Sequence, residues 1–177
     1  MNQHRRSFIV RSFLFSMVGG SLIACKPSTS NTSIAPVEID SRTTCDLDGM
    51  LLADYPGPKA QVFYVGNPTP RFFCDTVELL NTLLSPEQVQ AVAAAFVQDM
   101  GKADWDQPRG NWIPVNTAYY VLGSKRHGSM GPTIASFSLE ADAQKFIAQW
   151  NGKLMRYADI KPEMVDLSGG ALHDTKM

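Results

Sequence analysis

The chain predicts an α+β fold of two similar small units, each a short β-sheet with a packed helix in a β-β-α-β-like order. Three observations lead there. A plan of strand, turn, strand and capped helix occurs twice, with Cys74-Asp75-Thr76-Val77-Glu78 in the first half answered by Ser136-Phe137-Ser138-Leu139-Glu140 in the second. The β-rich runs between Pro- and Gly-containing turns are short, as strands of small sheets are. The chain has 177 residues, and 153 remain once an N-terminal leader is set aside, enough for one ordinary domain or two small ones.

The leader comes first. Arg5, Arg6 and Arg11 precede an apolar run from Phe13 to Ala24 that stops at Cys25. The run is short for a bilayer span and has the layout of a secretory signal. Its end, Leu22-Ile23-Ala24-Cys25, resembles a bacterial lipobox. Residues 1–24 are therefore expected to be a signal peptide and Cys25 to be the lipidation site, holding the protein to a membrane in the periplasm. Arg5-Arg6-Ser7-Phe8-Ile9 also resembles a twin-arginine signal, with His4 where Ser or Thr is usual, so the export route stays open. Residues 25–44, rich in Ser, Thr and Pro and without an apolar period, read as a flexible tether.

The first unit is expected over 45–101. Tyr55-Pro56-Gly57-Pro58 is a rigid turn, since Pro fixes φ and Gly permits what Pro cannot. Gln61–Val65 reads as a strand, and Asn67-Pro68-Thr69-Pro70 turns the chain into a second, Arg71–Phe73. Asp75 caps a helix, with Glu78 where a capping box wants it. Ser85-Pro86-Glu87-Gln88 predicts another helix start, with Val89, Val92, Ala93, Phe96, Val97 and Met100 at helical spacing up to Gly101. That pattern makes Met100 a core residue rather than a ligand. A polar loop over 102–111 leads to the second unit, 112–165. There Tyr119–Leu122 and Ile134–Phe137 read as strands. Ser138 is expected to cap a helix with Leu139, Ala143, Phe146, Ile147 and Trp150 on one apolar stripe. Asn151-Gly152 ends it, Lys153–Tyr157 returns as a strand, and 166–177 is a loosely ordered tail.

Composition narrows the function. The leader removes three Arg and leaves a net charge of −4 with no basic stripe, which excludes nucleic acid as the partner. Lipidation of Cys25 leaves Cys45 and Cys74 as the thiols of the mature protein. In an oxidising compartment a disulfide between them is one use. The other begins with Cys45-Asp46-Leu47-Asp48-Gly49-Met50, a thiol and a thioether five residues apart. Soft sulfur donors favour Cu(I) over harder divalent ions. Structural zinc sites want four Cys or His ligands, and the Asp46-Leu47-Asp48-Gly49 segment lacks the downstream acid of a calcium loop. Met130 lies in Gly128-Ser129-Met130-Gly131-Pro132, a loop with no apolar period to bury it, and is a metal ligand, a partner contact or a plug of its own loop. Met155 is explained by core packing; His127 and Cys74 are weaker candidate ligands. Cys45, where tether meets fold, is expected to be exposed, with Asp46 and Asp48 raising its pKa.

The leading reading is a Cu(I) carrier using Cys45, Met50 and Met130, which works by ligand exchange and is not an enzyme. Two other classes stand beside it. One is a non-metal adaptor lipoprotein with a Cys45–Cys74 disulfide. The other is a thiol enzyme with Cys45 as nucleophile and Asp48 as acid, a role that a thiol flanked by carboxylates serves poorly.

Cys45-x3-Gly49-Met50, Tyr55-Pro56-Gly57-Pro58-Lys59-Ala60-Gln61, Trp112 to Val121 ending in Ala118-Tyr119-Tyr120-Val121, Met130-Gly131, and the helix from Ala141 to Gly152 recur in this order in one family. Over roughly Cys45 to Ile160 the chain resembles the nitrous-oxide-reductase accessory lipoproteins, the NosL family. The resemblance implies a membrane-tethered chaperone that delivers Cu(I) for the copper–sulfide centre of nitrous oxide reductase. Its implied partners are that enzyme and its membrane-bound maturation machinery, and its implied fold is two α+β units similar to an organomercurial lyase. The family's Gly-Met falls on Gly49-Met50, its Cys on Cys45 and its second Met on Met130. Relatives often carry a Cys at the position of Leu47 or Asp48, and Pro at that of Ser129.

Overall fold

The computed structural model describes residues 33–167. The expected signal peptide, the expected lipidation site Cys25 and residues 168–177 of the expected tail lie outside the described residues. Residues 33–167 belong to one compact unit, and among the described residues no helix is long and apolar enough to cross a membrane.

The first sheet is built around β1 (Ala60–Tyr64), every residue of which is buried. β2 (Arg71–Phe73) pairs antiparallel on one side, Ala60 opposite Phe73, and β3 (Val92–Gln98) on the other, Ala60 opposite Val97. β4 (Trp112–Pro114) extends the sheet beyond β3. Between β2 and β3 runs α1 (Thr76–Leu84), opened by the expected capping box: Asp75 accepts from the Val77 N–H at 3.0 Å, and Glu78 accepts from the Asp75 N–H at 3.2 Å. The second sheet repeats the plan. β5 (Tyr119–Leu122) is central, between β8 (Ala135–Phe137) and β9 (Lys153–Arg156), and α2 (Glu140–Trp150) joins those two. A short hairpin, β6 (His127–Gly128) and β7 (Gly131–Pro132), is inserted between β5 and β8. Orders β2-β1-β3 and β8-β5-β9 are the same ββαβ arrangement used twice.

Both halves share one apolar core, in which Val62, Phe73, Leu79 and Val97 of the first meet Tyr120, Ile134 and Met155 of the second. The Tyr120 hydroxyl is satisfied by the Val115 carbonyl at 2.7 Å, so the ring is buried without an orphaned donor. The connecting loop is tied down too. Trp105 is buried, stacks on Phe146 at 5.4 Å and donates its indole N–H to the His127 carbonyl at 3.0 Å. Its own carbonyl accepts from the Gly57 N–H at 2.7 Å, so the Tyr55–Pro58 turn and the β6–β7 hairpin lean on one tryptophan.

Four expectations are corrected. Residues 92–98 are a strand, not a helix. Val92, Phe96 and Val97 suit a pleated surface, and the open edge of buried β1 offers a ladder that outweighs the helix propensity of Ala93–Ala95. Alternation sends Ala95 and Val97 to the shared core and Phe96 to the other face, where it meets Phe63 edge-on at 6.3 Å. Ser85 closes α1 instead of opening a new helix. Ser138 does not cap α2; its hydroxyl donates to Asp99 at 2.5 Å, and Leu139 stands at the cap without a side-chain bond. Finally, the expected tether is docked before its end. Gln61 clasps the backbone of Val37 in both directions, at 2.8 and 2.9 Å, and Ile39 is buried.

The strand assignment separates two valines that a helix would put on one stripe. Val97 is fully buried, whereas Val89 is 90 % exposed. Val97→Ala should cost about 2 kcal/mol and Val89→Ala less than about 0.5, read from urea midpoints at unchanged slope. Equal losses would restore the helix.

Candidate metal centre

The spacing of Cys45 and Met50 is that of a tight hairpin. Thr44 bridges Leu51, the Cys45 N–H donates to the Met50 carbonyl at 2.8 Å, and the Gly49 N–H returns to the Cys45 carbonyl at 3.0 Å. Gly49 turns the chain at φ +77°, where a side chain would be strained, and Asp48 accepts from the Met50 N–H at 2.9 Å. Thiol and thioether therefore stand across from each other. The hairpin is docked on β2 by the Asp46 N–H to the Phe72 carbonyl at 2.8 Å and by an ion pair between Asp46 and Arg71 at 3.5 Å.

A second hairpin brings Met130. Ser129 and Met130 form the turn between β6 and β7, and the Ser129 hydroxyl donates to the Cys74 carbonyl at 2.6 Å. Beside it, Thr133 donates to Asp75 at 2.5 Å. Gly128 is pressed so closely against Asp75 and the Gly57 backbone that a Cβ there would overlap the Asp75 carboxylate. Cys74 itself sits where β2 gives way to α1, and Glu78, one turn into α1, faces back towards it.

These elements converge. Cys45, Cys74, Ile39 and Leu52 form a buried cluster against which half-buried Met50, Met130, Phe72 and Trp112 pack. One donor atom each from Cys45, Asp48, Cys74 and Glu78 lies within 4.8 Å of all the others. Cys74 Sγ is 3.4 Å from both Glu78 oxygens and 3.9 Å from Asp48 Oδ2; Cys45 Sγ is 3.4 Å from Glu78 Oε2. Both thiols are free. His127 is exposed at the foot of the second hairpin and is not part of the cluster.

Two expectations about Cys45 are corrected. It is only 3 % exposed, because the hairpin folds its inner face onto β2 and α1. Its pKa is lowered, to about 6, not raised. The Cys74 thiol donates to its sulfur, and the backbone N–H groups of Cys74, Leu47 and Asp48 add to this against the opposing effect of burial. Cys74, with its proton committed to Cys45, is pushed up, as is Glu78, to about 8, by burial and by the Cys45 charge. The pocket thus favours the thiolate at Cys45 and the protonated carboxyl at Glu78. Behind it Asp75 is raised to about 7 by burial, and buried Lys59, which donates to the Pro56 and Cys74 carbonyls at 2.9 and 3.0 Å, is lowered to about 8. Sequence reasoning missed Glu78 and Asp48 as members of the pocket. The Cys74-x3-Glu78 spacing was the available signal, masked by the capping role of Glu78.

The buried acids make stability depend on pH. Below their unfolded values of 3.8 and 4.5, Asp75 and Glu78 are protonated in both states; above them the folded chain keeps protons that the unfolded chain has lost. Stability of the reduced, metal-free chain should fall as pH rises from 4.5 to 6, by at most about 1.4 kcal/mol per pH unit for each group. Cys45 works in the opposite direction only between about 6 and 9. Thermal midpoints across that acid window should fall for the wild type and fall less for Glu78→Gln; parallel curves would contradict the assigned cause.

With this geometry established, comparison with known proteins is informative. The NosL family model matches residues 36–165. The chain is 39 % identical over 148 residues to the copper-binding lipoprotein NosL of Achromobacter cycloclastes, covering 81 % of this chain and 76 % of that one. It is 35 % identical over 147 residues to the copper-binding lipoprotein NosL of Stutzerimonas stutzeri, covering 80 % and 76 %. The crystal structure of the copper chaperone NosL from Shewanella denitrificans superposes with a TM-score of 0.70 at 38 % identity, over 73 % of this chain and 98 % of that one. These relatives are named as copper-binding lipoproteins and a copper chaperone, not as enzymes, and the family model spans the β-β-α-β pair and both hairpins: the chain belongs to the NosL family.

Proposed function

We propose that this protein is a lipid-anchored periplasmic Cu(I) carrier that takes up its cargo at Cys45 and Cys74 with Met50 and Met130. The observation that carries the reading is the convergence of two separate hairpins, each presenting a thioether, on one pair of buried free thiols. Thiolate and thioether donors match a soft monovalent ion. The Cys45 thiolate beside a protonated Glu78 supplies one negative charge, which a single Cu(I) neutralises without leaving a net charge in the pocket. The half-buried thioethers sit at the rim, with Leu47, Asp48 and Leu51 exposed at the hairpin tip, so a partner's donor reaches the ion from that side. Transfer is then ligand exchange: an incoming sulfur replaces a thioether before the Cys45 thiolate lets go. Cys25 supplies the anchor, in keeping with relatives named as lipoproteins. The family resemblance extends the proposal to the recipient, the machinery that assembles the copper–sulfide centre of nitrous oxide reductase.

The test is an anaerobic Cu(I) titration of the reduced full chain against a chromophoric chelator. One Cu(I) per chain is expected. Cys45→Ser and Cys74→Ser should each weaken it by about 100-fold, and Met50→Ala and Met130→Ala by about tenfold. Thr133→Val, which frees the Met130 hairpin from Asp75, should weaken binding in the wild type and add little in the Met130→Ala background. His127→Ala should leave it unchanged. No competition with the chelator, or equal binding by all variants, would remove the copper site.

A further inference from the structure

The metal pocket lies at one end of the first sheet, and the opposite end has a surface of another kind. β1 begins beside the pocket, Ala60 opposite Phe73, and ends about 14 Å away at Tyr64, opposite Val92. α1 runs the same way, from Glu78 in the pocket towards Leu83. At that far end Ile34, Leu83, Val92, Phe96, Pro114 and Tyr157 line a groove of about 500 Å³. Beyond it Val65 is 68 % and Val89 90 % exposed, and the Val65 N–H is tied to the Ala91 carbonyl at 2.8 Å. From Ser85 to Ala94 the sole charged residue is Glu87. Soluble surfaces are ordinarily dense in mixed charge and scatter their apolar residues singly, so an uncharged apolar end calls for an occupant. The path of the chain points to one. Ile34, in the groove, follows the expected lipidation site Cys25 by nine positions, a span of at most about 30 Å. From Ile34 the chain passes Val37, clasped by Gln61, and reaches Ile39 in the buried cluster around Cys45. It therefore enters the fold at the groove and arrives at the pocket only afterwards.

We propose that this end of the first sheet is a membrane-contact face, whose exposed Val65 and Val89 and groove rim press into the headgroup–acyl boundary of the bilayer that holds Cys25. The proposal rests on the lipid-anchor reading above. An anchor nine residues away already confines this end close to lipid, so shallow burial of a few apolar side chains suffices to choose an orientation. The contact is apolar and not electrostatic, since no Lys or Arg lies between Ser85 and Ala94. The outer edge of β3 belongs to the same face. β4 pairs only with Phe96–Gln98, and Val92–Ala94 pair with β1 alone. Such an edge, unguarded by charge, invites a second copy of the chain, and a bilayer lying over it prevents that pairing. With this face on the membrane, the metal pocket opens on the aqueous side, where a partner can reach it.

Photo-crosslinking of the full chain in vesicles of phosphatidylethanolamine and phosphatidylglycerol reads the orientation. A benzophenone side chain is placed in turn at Val89, at Val92 and, as the pocket-end control, at Leu47, which is 50 % exposed at the hairpin tip. Lipid adducts should form from Val89 and Val92 about tenfold more than from Leu47. Val65→Asp with Val89→Asp should cut the adducts from Val92 by about tenfold. Both valines face solvent, so the urea midpoint of that variant should stay in place. Equal adducts from Val89 and Leu47 in a chain whose mass shows lipid at Cys25 would overturn the contact face and leave the anchor intact. Crosslinks between two chains in place of lipid adducts would overturn it too and give the face to a second copy. A mature chain without lipid at Cys25 that still forms the Val89 adducts would remove the anchor and leave the contact face standing.

Discussion

The Asp75 carboxylate has no exposed surface, yet three parts of the molecule meet on it. It caps α1 by accepting from the Val77 N–H, it accepts the Thr133 hydroxyl from the second half, and Gly128 is packed against it with no room for a side chain. Burying a carboxylate so completely is costly unless hydrogen bonds satisfy it, and here the bonds come from different halves of the repeat. The same residue follows Cys74 in sequence. Whatever holds Asp75 in place therefore fixes, within one residue, the thiol of the first half and the hairpin that carries Met130 from the second. The pocket exists because a duplicated fold is latched at this point.

Around that latch the charges are arranged with an inverted order. A carboxyl ordinarily ionises well before a thiol, but here Glu78 is raised to about 8 and Cys45 lowered to about 6. Desolvation penalises the charged carboxylate, while hydrogen bonds aimed at the Cys45 sulfur favour the thiolate. The pocket is thus ready for a soft cation at neutral pH without first losing a thiol proton to water. Its sulfur rim and oxygen wall are a chemical consequence of two elements meeting: hairpins bring the thioethers, and the first turn of α1 brings Glu78.

Much of this could be read in advance. Asp75-x2-Glu78 announced the start of α1, Asn151-Gly152 the end of α2, and the strands β1, β2, β5 and β9 followed from β-rich runs between turns. β3 was obscured because Val92, Phe96 and Val97 fit helical spacing and show no clean alternation, Phe96 and Val97 being buried on opposite faces, so only the partner strand decides. The repeat held the answer, since β3 is the counterpart of β9. Ser138 was misread because its hydroxyl goes to Asp99, 39 positions away, a partner no local pattern reveals. The burial of Cys45 was equally hidden: the end of a tether looks exposed until the hairpin it opens docks its inner face on β2. The pairing of Cys45 with Cys74 and Glu78 is a product of tertiary structure alone.

The central claim is that sulfur, not nitrogen or oxygen, holds Cu(I) in this pocket. X-ray absorption of the Cu(I)-loaded full chain tests it most directly. The account predicts a first shell fitted by sulfur alone, whose amplitude drops when Met50→Ala and Met130→Ala are combined. A shell requiring nitrogen or oxygen scatterers, or one unchanged by the loss of both thioethers, would contradict it.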